Sequence, residues 1–461
     1  MATLGANVLI CGAGIAGISA AYHLAVRQGV KDVILVDERP PLSLTSDKST
    51  ECYRNWWPGP GDAMVRLTNR SIDLLEELAR ESNNCFNLSR RGYLFVTANP
   101  ARVADMQRVA HESCSLGAGP LRVHTGRPGD PVYTPAPATG FEGLPTGADL
   151  ILDRALIRKR FPFLAKEVVA VLHTRRCGRL SAQQLGMYLL ERAREHGVRL
   201  LCARVEDVDV QSGKVRAVRT SGEPSYRVIP ADCFINAAGP FAKQVGHMLG
   251  LDLPIVCELH PKIAFNEHLG VVPQSAPLYY WADPQRLPWS EEEQALLVES
   301  EETQWLLERF PSGPHGIPEG APGSHIQLIL WTYDIRTLEP VVPLPPFDPN
   351  QFEVVLRGLA RMIPDLRAYF DRLPQPVVDG GYYAKTRENR PLIGPLPVER
   401  AYIIAALSGF GIMAACAAGE LLAAHVTGAK LPSYAPWFLL ERYQDSAYQK
   451  LLGSWDQSGQ L

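Results

Sequence analysis

Short unbroken apolar runs and longer stretches with a helical apolar period alternate from the start of this chain. Val8-Leu9-Ile10-Cys11 is apolar at every position, the pattern of a strand buried on both faces of a parallel sheet. Ile15 to about Gln28 places Ile18, Ala21, Tyr22 and Ala25 on one side, which predicts a helix stopped by Gly29. Val33-Ile34-Leu35-Val36 then predicts a second buried strand. Further on, Met64–Glu81 (Leu67, Ile72, Leu75, Leu78, Ala79) and Ser181–Gly197 read as amphipathic helices. Strands are predicted at Arg91–Thr97, Val198–Cys202, Val205–Val210 and Val215–Thr220, the last two joined by the turn residues Ser212-Gly213. Asp232–Asn236 is an apolar strand ending in the small-residue turn Ala237-Ala238-Gly239-Pro240. Between Leu251 and Pro374 the texture changes. Strand-like pieces (Ile255–Phe265, Leu278–Trp281, Ile326–Tyr333) flank an acidic and then Gly/Pro-rich insertion at about 284–323, and a second irregular stretch covers 117–147. The chain closes with a strand at Tyr402–Leu407, a turn at Ser408-Gly409-Phe410-Gly411 and a helix to about Thr427.

The first strand, turn and helix carry chemistry. Gly12, Gly14 and Gly17 form G-x-G-x-x-G between a buried strand and a helix, and Asp37 ends the next strand twenty residues after Gly17. Gly12 turns the chain out of the strand, and Gly14 lets an anionic pyrophosphate approach the free amides opening the helix, at Ile15 and Ala16. Gly17 permits close helix–strand packing, and a carboxylate at Asp37 can accept from the hydroxyls of a ribose. A dinucleotide ligand follows. A second small-residue strand end at Ala238-Gly239 and a third at Ser408–Gly411 favour one large cofactor touched by all three.

Composition narrows the partners. The chain has 461 residues, 46% hydrophobic and 21% charged, with a formal net charge of −3. No Lys/Arg run suits a phosphate backbone, so nucleic acid is excluded as the expected partner. No segment reaches about 18 consecutive apolar residues. The longest tract, Ala401–Val426, is broken by Ser408, Gly409, Gly411, Gly419 and Glu420, so a strand, turn and helix are expected there. The first strand begins by about Asn7, leaving no room for a leader, and a cytoplasmic location is the expectation. Nine scattered cysteines without C-x-x-C pairs read as buried thiols, and no His/Cys spacing suggests a metal.

Three separated motifs occur in order: G-x-G-x-x-G with Asp37; Ile235-Asn236-Ala237-Ala238-Gly239-Pro240; and Thr386-x-x-x-x-Pro391-Leu392-Ile393-Gly394-Pro395 followed by Ser408–Gly411. Together they resemble the FAD-dependent amine and amino-acid oxidoreductases of the D-amino acid oxidase superfamily, nearest the branch of dimethylglycine dehydrogenase and the sarcosine oxidase beta subunit. The resemblance spans nearly the whole chain outside the two insertions. It implies an α/β fold with a Rossmann-like FAD-binding domain of the glutathione-reductase type. An interleaved α+β substrate domain would be built on a mostly antiparallel sheet. The corresponding division is 1–88, 151–248 and 376–445 for FAD, 89–150 and 249–375 for substrate, and a tail at 446–461. The implied reaction moves hydride from the carbon beside an amine nitrogen to flavin N5, with oxygen or another carrier as the final acceptor.

Carried over by position, the resemblance gives FAD contacts at Gly12, Gly14, Ile15, Ala16, Gly17, Asp37, Glu38, Arg39, Ser49, Thr50, Val205, Ala238, Gly239 and Gly394. Ser408, Gly409, Phe410, Gly411 and Ile412 complete the set, with amides aimed at the N1/O2 edge of the flavin. Arg54 matches a basic residue beside the ring; the alternative is an exposed loop arginine. Tyr382 and Tyr383 compete to line the substrate pocket, since strand neighbours point opposite ways. Tyr383 and Lys262 join Arg54 as catalytic candidates, although Lys262 and His260 are also explained as a strand end at the surface. Tyr279, Tyr280 and Trp281 either wall the pocket or pack the sheet. Cys52 lies near where relatives carry a flavin-linking His; a plain loop cysteine and non-covalent FAD is the expected reading. Two departures bear on substrate. Met413 and Tyr383 stand where relatives place a Lys and an Arg that hold a substrate carboxylate. A flavoprotein of this fold serving assembly instead of turnover, with the insertions as docking surfaces, is the alternative function. An NAD-dependent dehydrogenase is a further one.

Overall fold

The structure, a computed structural model, describes residues 5–221, 227–320, 323–453 and 455. The unbroken apolar runs form the centre of an eight-stranded sheet. Ala6–Cys11 pairs in parallel with Val33–Asp37 on one side and Arg227–Asn236 on the other. Arg199–Cys202 extends the parallel part beyond Val33–Asp37, and Ala401–Ala405 extends it beyond Arg227–Asn236. The strands Arg204–Gln211 and Lys214–Ser221 form an antiparallel flap joined to Arg227–Asn236, and Leu392–Pro395 pairs antiparallel with Ala401–Ala405.

Helices cover one face of this sheet. The first helix, Ile15–Tyr22, continues as a wider π-type turn over His23–Arg27, and Gly29 ends it at φ +70°. It packs against the helix Gly411–Thr427, whose Gly419 lies so close to Ser19 that a methyl there would overlap the serine, while Ser19 Oγ donates to the Ala415 carbonyl. The stretch Ser408–Thr427 is long and apolar enough to cross a membrane by length and composition, yet 72% of that window is buried inside the protein. The Ala401–Val426 tract is thus a strand, a turn and a core helix, as its interruptions predict.

The second sheet has nine strands and is mostly antiparallel, in the order 377–385, 256–266, 326–330, 315–319, 278–281, 93–97, 170–174, 148–151, 121–124. Two of these neighbours run parallel: Leu278–Trp281 with Tyr93–Thr97, and Leu121–His124 with Ala148–Ile151. The strands Ala170–Thr174 and Val377–Lys385, grouped by the sequence with the cofactor-binding segments, are in this sheet. Neither insertion is wholly irregular. The 117–147 stretch holds the strand Leu121–His124, and 284–320 holds the helix Glu291–Val298 and the strand His315–Glu319; residues 321 and 322 lie outside the described residues. Ser290 and Glu293 form a reciprocal capping box at that helix. Of the expected tail, Ser446–Gly453 is a helix, and 454 and 456–461 lie outside the described residues.

Candidate functional site

The carboxyl ends of the parallel strands, at Cys11, Asp37, Asn236 and Ala405, converge on one side of the first sheet. Such ends are where doubly wound sheets bind ligands, because loops leaving adjacent strands diverge there. A cavity of about 490 Å³ fills the place, well within the range of small-molecule sites. Of the predicted contacts, Gly12, Gly14, Ile15, Ala16, Asp37, Glu38, Arg39, Val205, Ala238, Gly239, Ser408 and Gly411 line it. Gly17, Ser49, Thr50, Gly394, Gly409, Phe410 and Ile412 do not.

Local geometry accounts for these placements. Gly12 has φ +113°, and a methyl there would fall against the Ala237 carbonyl, so only glycine fits the turn. A side chain on Gly17 would overlap the Gly12 carbonyl oxygen, which makes this residue a packing contact beneath the turn. Asp37 Oδ2 accepts from Ala13 N–H at 2.7 Å and Oδ1 from Arg39 N–H at 2.9 Å, bracing the turn from the next strand. Ser49 Oγ accepts from Glu51 N–H, and the Thr50 carbonyl accepts from the Cys52 thiol, so both serve their own loop. Gly394, at φ +142°, packs against Leu439.

The cavity wall also contains residues the sequence reading missed. Leu42 to Ser46 follow the second strand, and Ser46 Oγ accepts from Ile15 N–H at 3.0 Å at the opening of the first helix. The small polar residues Ser43, Thr45 and Ser46, close behind Asp37, were the available signal. Pro340, Val341 and Val342 close another side. Tyr382 holds them, accepting from Val341 N–H at 3.1 Å and donating to the Val341 carbonyl at 3.2 Å. Nothing in the local sequence of 340–342 announces this, since the contact spans forty-one residues.

These residues fit an extended dinucleotide. The first helix has no acidic residue in its first turn, its opening residues Ile15 and Ala16 line the cavity, with Ser46 Oγ on the Ile15 N–H, and glycines stand where a phosphate would approach. The Asp37–Arg39 end would take the nucleoside, and the Ser408–Gly411 end, opening another helix, would take the far end of the cofactor.

The other catalytic candidates come from the short strand Cys52–Arg54 and from the second sheet. Arg54, on the short strand Cys52–Arg54 paired with Cys177–Arg179, is 5% exposed and lies 4.6 Å over the Trp57 ring. It is therefore a buried strand residue, not an exposed loop arginine, and burial lowers its pKa. Trp57 meets Phe410 edge-on at 5.2 Å. Cys52, on the same strand, is buried and its thiol is pushed up to about 12, chiefly by burial. His260 and Lys262 are in the interior of Val256–Asn266, not at a surface strand end. His260 is buried, and Lys262 Nζ donates to the Ser49 carbonyl at 3.2 Å while burial lowers its pKa. Tyr382 faces the cavity, and Tyr383, on the opposite face of its strand, lies against Gly409. Tyr279 and Trp281 pack in the sheet core, whereas Tyr280 leans on His315, their ring centroids 6.1 Å apart. His315 is held neutral, at about 4, by burial, with Arg54 adding to the effect. Met413 is buried in the core. The nine cysteines are unbridged, and no group of His, Cys, Asp or Glu among the described residues has a metal-binding arrangement.

Comparison with known proteins bears on the same architecture. Mouse (Mus musculus) dimethylglycine dehydrogenase, mitochondrial, is 25% identical over 439 residues, covering 90% of this chain and 42% of that protein. Mouse sarcosine dehydrogenase, mitochondrial, is 24% identical over 274 residues, covering 58% of this chain and 26% of its own length. The chain thus spans less than half the length of these curated relatives. Among solved structures, L-proline dehydrogenase from P. horikoshii superposes with a TM-score of 0.71 at 20% identity, over 95% of this chain and 98% of that one. Glycine oxidase from Geobacillus kaustophilus gives 0.68 at 16% identity, over 94% and 98%. These likenesses show the fold. The sequence model of the family DAO, FAD dependent oxidoreductase, matches residues 7–425. With the glycine turn, the cavity at the strand ends and this match, the chain belongs to the DAO family of FAD-dependent oxidoreductases.

Proposed function

We propose that the chain oxidises a C–N bond of a small amine or N-substituted amino acid, holding FAD without a covalent link. The observation that carries the reading is the pairing of a cavity at the glycine turn and strand ends with a buried polar face containing Arg54, Tyr383, His260 and His315. Several relatives and fold neighbours are named for dimethylglycine, sarcosine, L-proline and glycine, which supports the substrate class.

When bound, FAD supplies a hydride acceptor at N5, and the oxidised product is an imine that water hydrolyses. The chain's own residues bind and orient. Gly12, Gly14 and the first helix would receive the pyrophosphate, and Asp37 fixes the turn that presents these amides. The Ser408–Gly411 turn opens a helix whose amide end favours negative charge, as the far end of the cofactor acquires on reduction. Trp57 and Phe410 exclude water beside Arg54, whose guanidinium supplies a buried positive charge. With Met413 and Tyr383 replacing two basic residues, Arg54 is the carboxylate-anchoring candidate. A substrate with an ordinary amino-acid head would then be gripped at one point instead of two. Cys52, protonated and on a paired strand, suits packing better than linkage to FAD.

The test is an absorbance spectrum before and after denaturation, then anaerobic titration with N-methyl amino acids, D-amino acids and cyclic amines. Yellow flavin released on denaturation and bleached by a member of the panel is the expected outcome. Flavin left oxidised by the whole panel defeats the amine reading; co-purification with a stoichiometric partner would then favour the assembly role.

A further inference from the structure

The strands Val256–Asn266 and Val377–Lys385 carry a buried polar group on the face away from the cavity. Their register puts Glu258 opposite Tyr383 and His260 opposite Gly381. Gly381 presents no side chain to its partner, so the Tyr383 ring can lean diagonally across the pair. It stacks on His260 with ring centroids 3.7 Å apart and planes 11° from parallel. The other boundary of the tyrosine is the Ser408–Phe410 turn, where any side chain at Gly409 would overlap the ring.

His260 is itself held from both edges. Its Nε2 lies 3.1 Å from Glu258 Oε2, and its Nδ1 lies 3.4 Å from Thr332 Oγ1. A carboxylate can only accept, so the network assigns the proton to Nε2 and leaves Nδ1 to accept from the Thr332 hydroxyl. Glu258 Oε1 takes Lys385 Nζ at 2.9 Å, which fixes the carboxylate in turn. Burial lowers the pKa of His260, with Glu258 opposing that shift and Lys385 adding to it, consistent with a neutral ring. Both nitrogens are occupied laterally. The ring face remains for Tyr383.

We propose that His260 is a positioning residue, fixed by Glu258, Thr332 and Lys385, that sets where Tyr383 stands against the Gly409 turn of the cofactor site. The proposal deepens the amine-oxidation reading and rests on it for the role of Tyr383. A small misplacement of a group at a reacting centre lowers turnover by about a hundredfold in unfavourable cases, whereas binding of the distant nucleotide half of FAD is untouched.

Two holoprotein variants separate stacking from hydrogen bonding. His260→Phe keeps a ring against Tyr383 and loses the bond to Glu258; His260→Asn removes the ring and keeps an amide able to donate to Glu258. The expected result is that H260N retains FAD, has a displaced visible-region flavin circular dichroism band, and is reduced about tenfold or more slowly at saturating amine with little change in KM. H260F, which keeps the ring but not the bonds that fix it, should recover part of the band and part of the rate. An unchanged band and rate in H260N, or the same defect in H260F as in H260N, overturns the proposal. If no amine reduces even the unaltered protein, the amine reading fails, and the dichroism comparison alone still decides the placement. If H260N does not fold, His260→Gln gives the same comparison.

Discussion

The cofactor cavity and the Arg54–Tyr383–His260 face are built by opposite means. The cavity is laid out by backbone features, namely glycines, helix openings and strand ends, and walled by further side chains, with Asp37 serving mainly to brace a turn. The polar face is formed by side chains from strands scattered over 52–54, 256–266, 315–319 and 377–385. Backbone sites depend on conformation, so they follow from the positions of glycine and from helix starts. Side-chain sites depend on which strands become neighbours. Damage should therefore differ in kind. Backbone substitutions in the first region should release the cofactor, whereas side-chain substitutions in either region should act by degrees.

The connection between the regions offers the largest effect. Arg442 and Glu388 are a nearly fully buried ion pair, 2.7 Å apart, and Arg442 also donates to the carbonyls of Arg390 and Pro391. Removing one partner of such a pair leaves a buried charge, so Arg442→Ala should cost about 3–5 kcal/mol. Denaturant unfolding followed by flavin absorbance and tryptophan fluorescence should show both regions failing together; separate transitions would show that they are independent.

Gly17→Ala comes next, because its methyl meets the Gly12 carbonyl. We expect a loss of about 1–3 kcal/mol together with flavin release, measured by thermal unfolding and the absorbance of the desalted protein. A variant that keeps its flavin and melting temperature would dissolve the contrast between the two regions.

Acid should sharpen it. Burial holds His173 at about 3 and His315 at about 4 within the second sheet, and His23 at about 4 beneath the first. An unfolded histidine titrates near 6.5, so below that pH the unfolded chain binds more protons than the folded one. The stability is full above about pH 6.5 and declines as pH falls toward the folded values, by at most about 1.4 kcal/mol per pH unit for each histidine. His173→Phe should flatten the pH dependence of urea unfolding by about that slope. An unchanged slope would show that His173 is not held neutral.

The smallest effect is expected from Tyr382→Phe, which removes both hydrogen bonds to Val341. At about 1 kcal/mol per neutral bond, the protein should stay folded but lose flavin faster on dialysis. Equal retention would show that the 340–342 wall closes without this tether.

The sequence was most legible where structure is local. The strands at 6–11, 33–37 and 278–281 and the helices at 63–81, 182–195 and 411–427 follow apolar runs and periods contained within each segment, even where the segment packs against a distant part of the chain. It was least legible in the 284–323 insertion. There the Ser290–Glu293 capping box was readable but outweighed by the surrounding Gly and Pro, and the strand His315–Glu319, containing Gly316 and Pro318, shows no β pattern. Its pairing with Leu278–Trp281 and Ile326–Leu330 supplies what its propensity lacks. Likewise His260 and Lys262 read as a surface strand end, while the partner strand at 377–385 covers them, leaving His260 buried and Lys262 half-buried with its ammonium on the Ser49 carbonyl.

By itself, then, the sequence determined the dinucleotide turn, its helix, the parallel strands around it and the family to which they point. Glycine positions and apolar periods constrain backbone conformation directly, over a few residues. Only the tertiary structure decided which of two adjacent tyrosines faces the cavity, that Tyr383 rests on His260, that Arg54 is buried, and that residues 340–342 close the wall. Those outcomes depend on strand register and on contacts between segments from about forty to more than a hundred residues apart, and no local pattern encodes them.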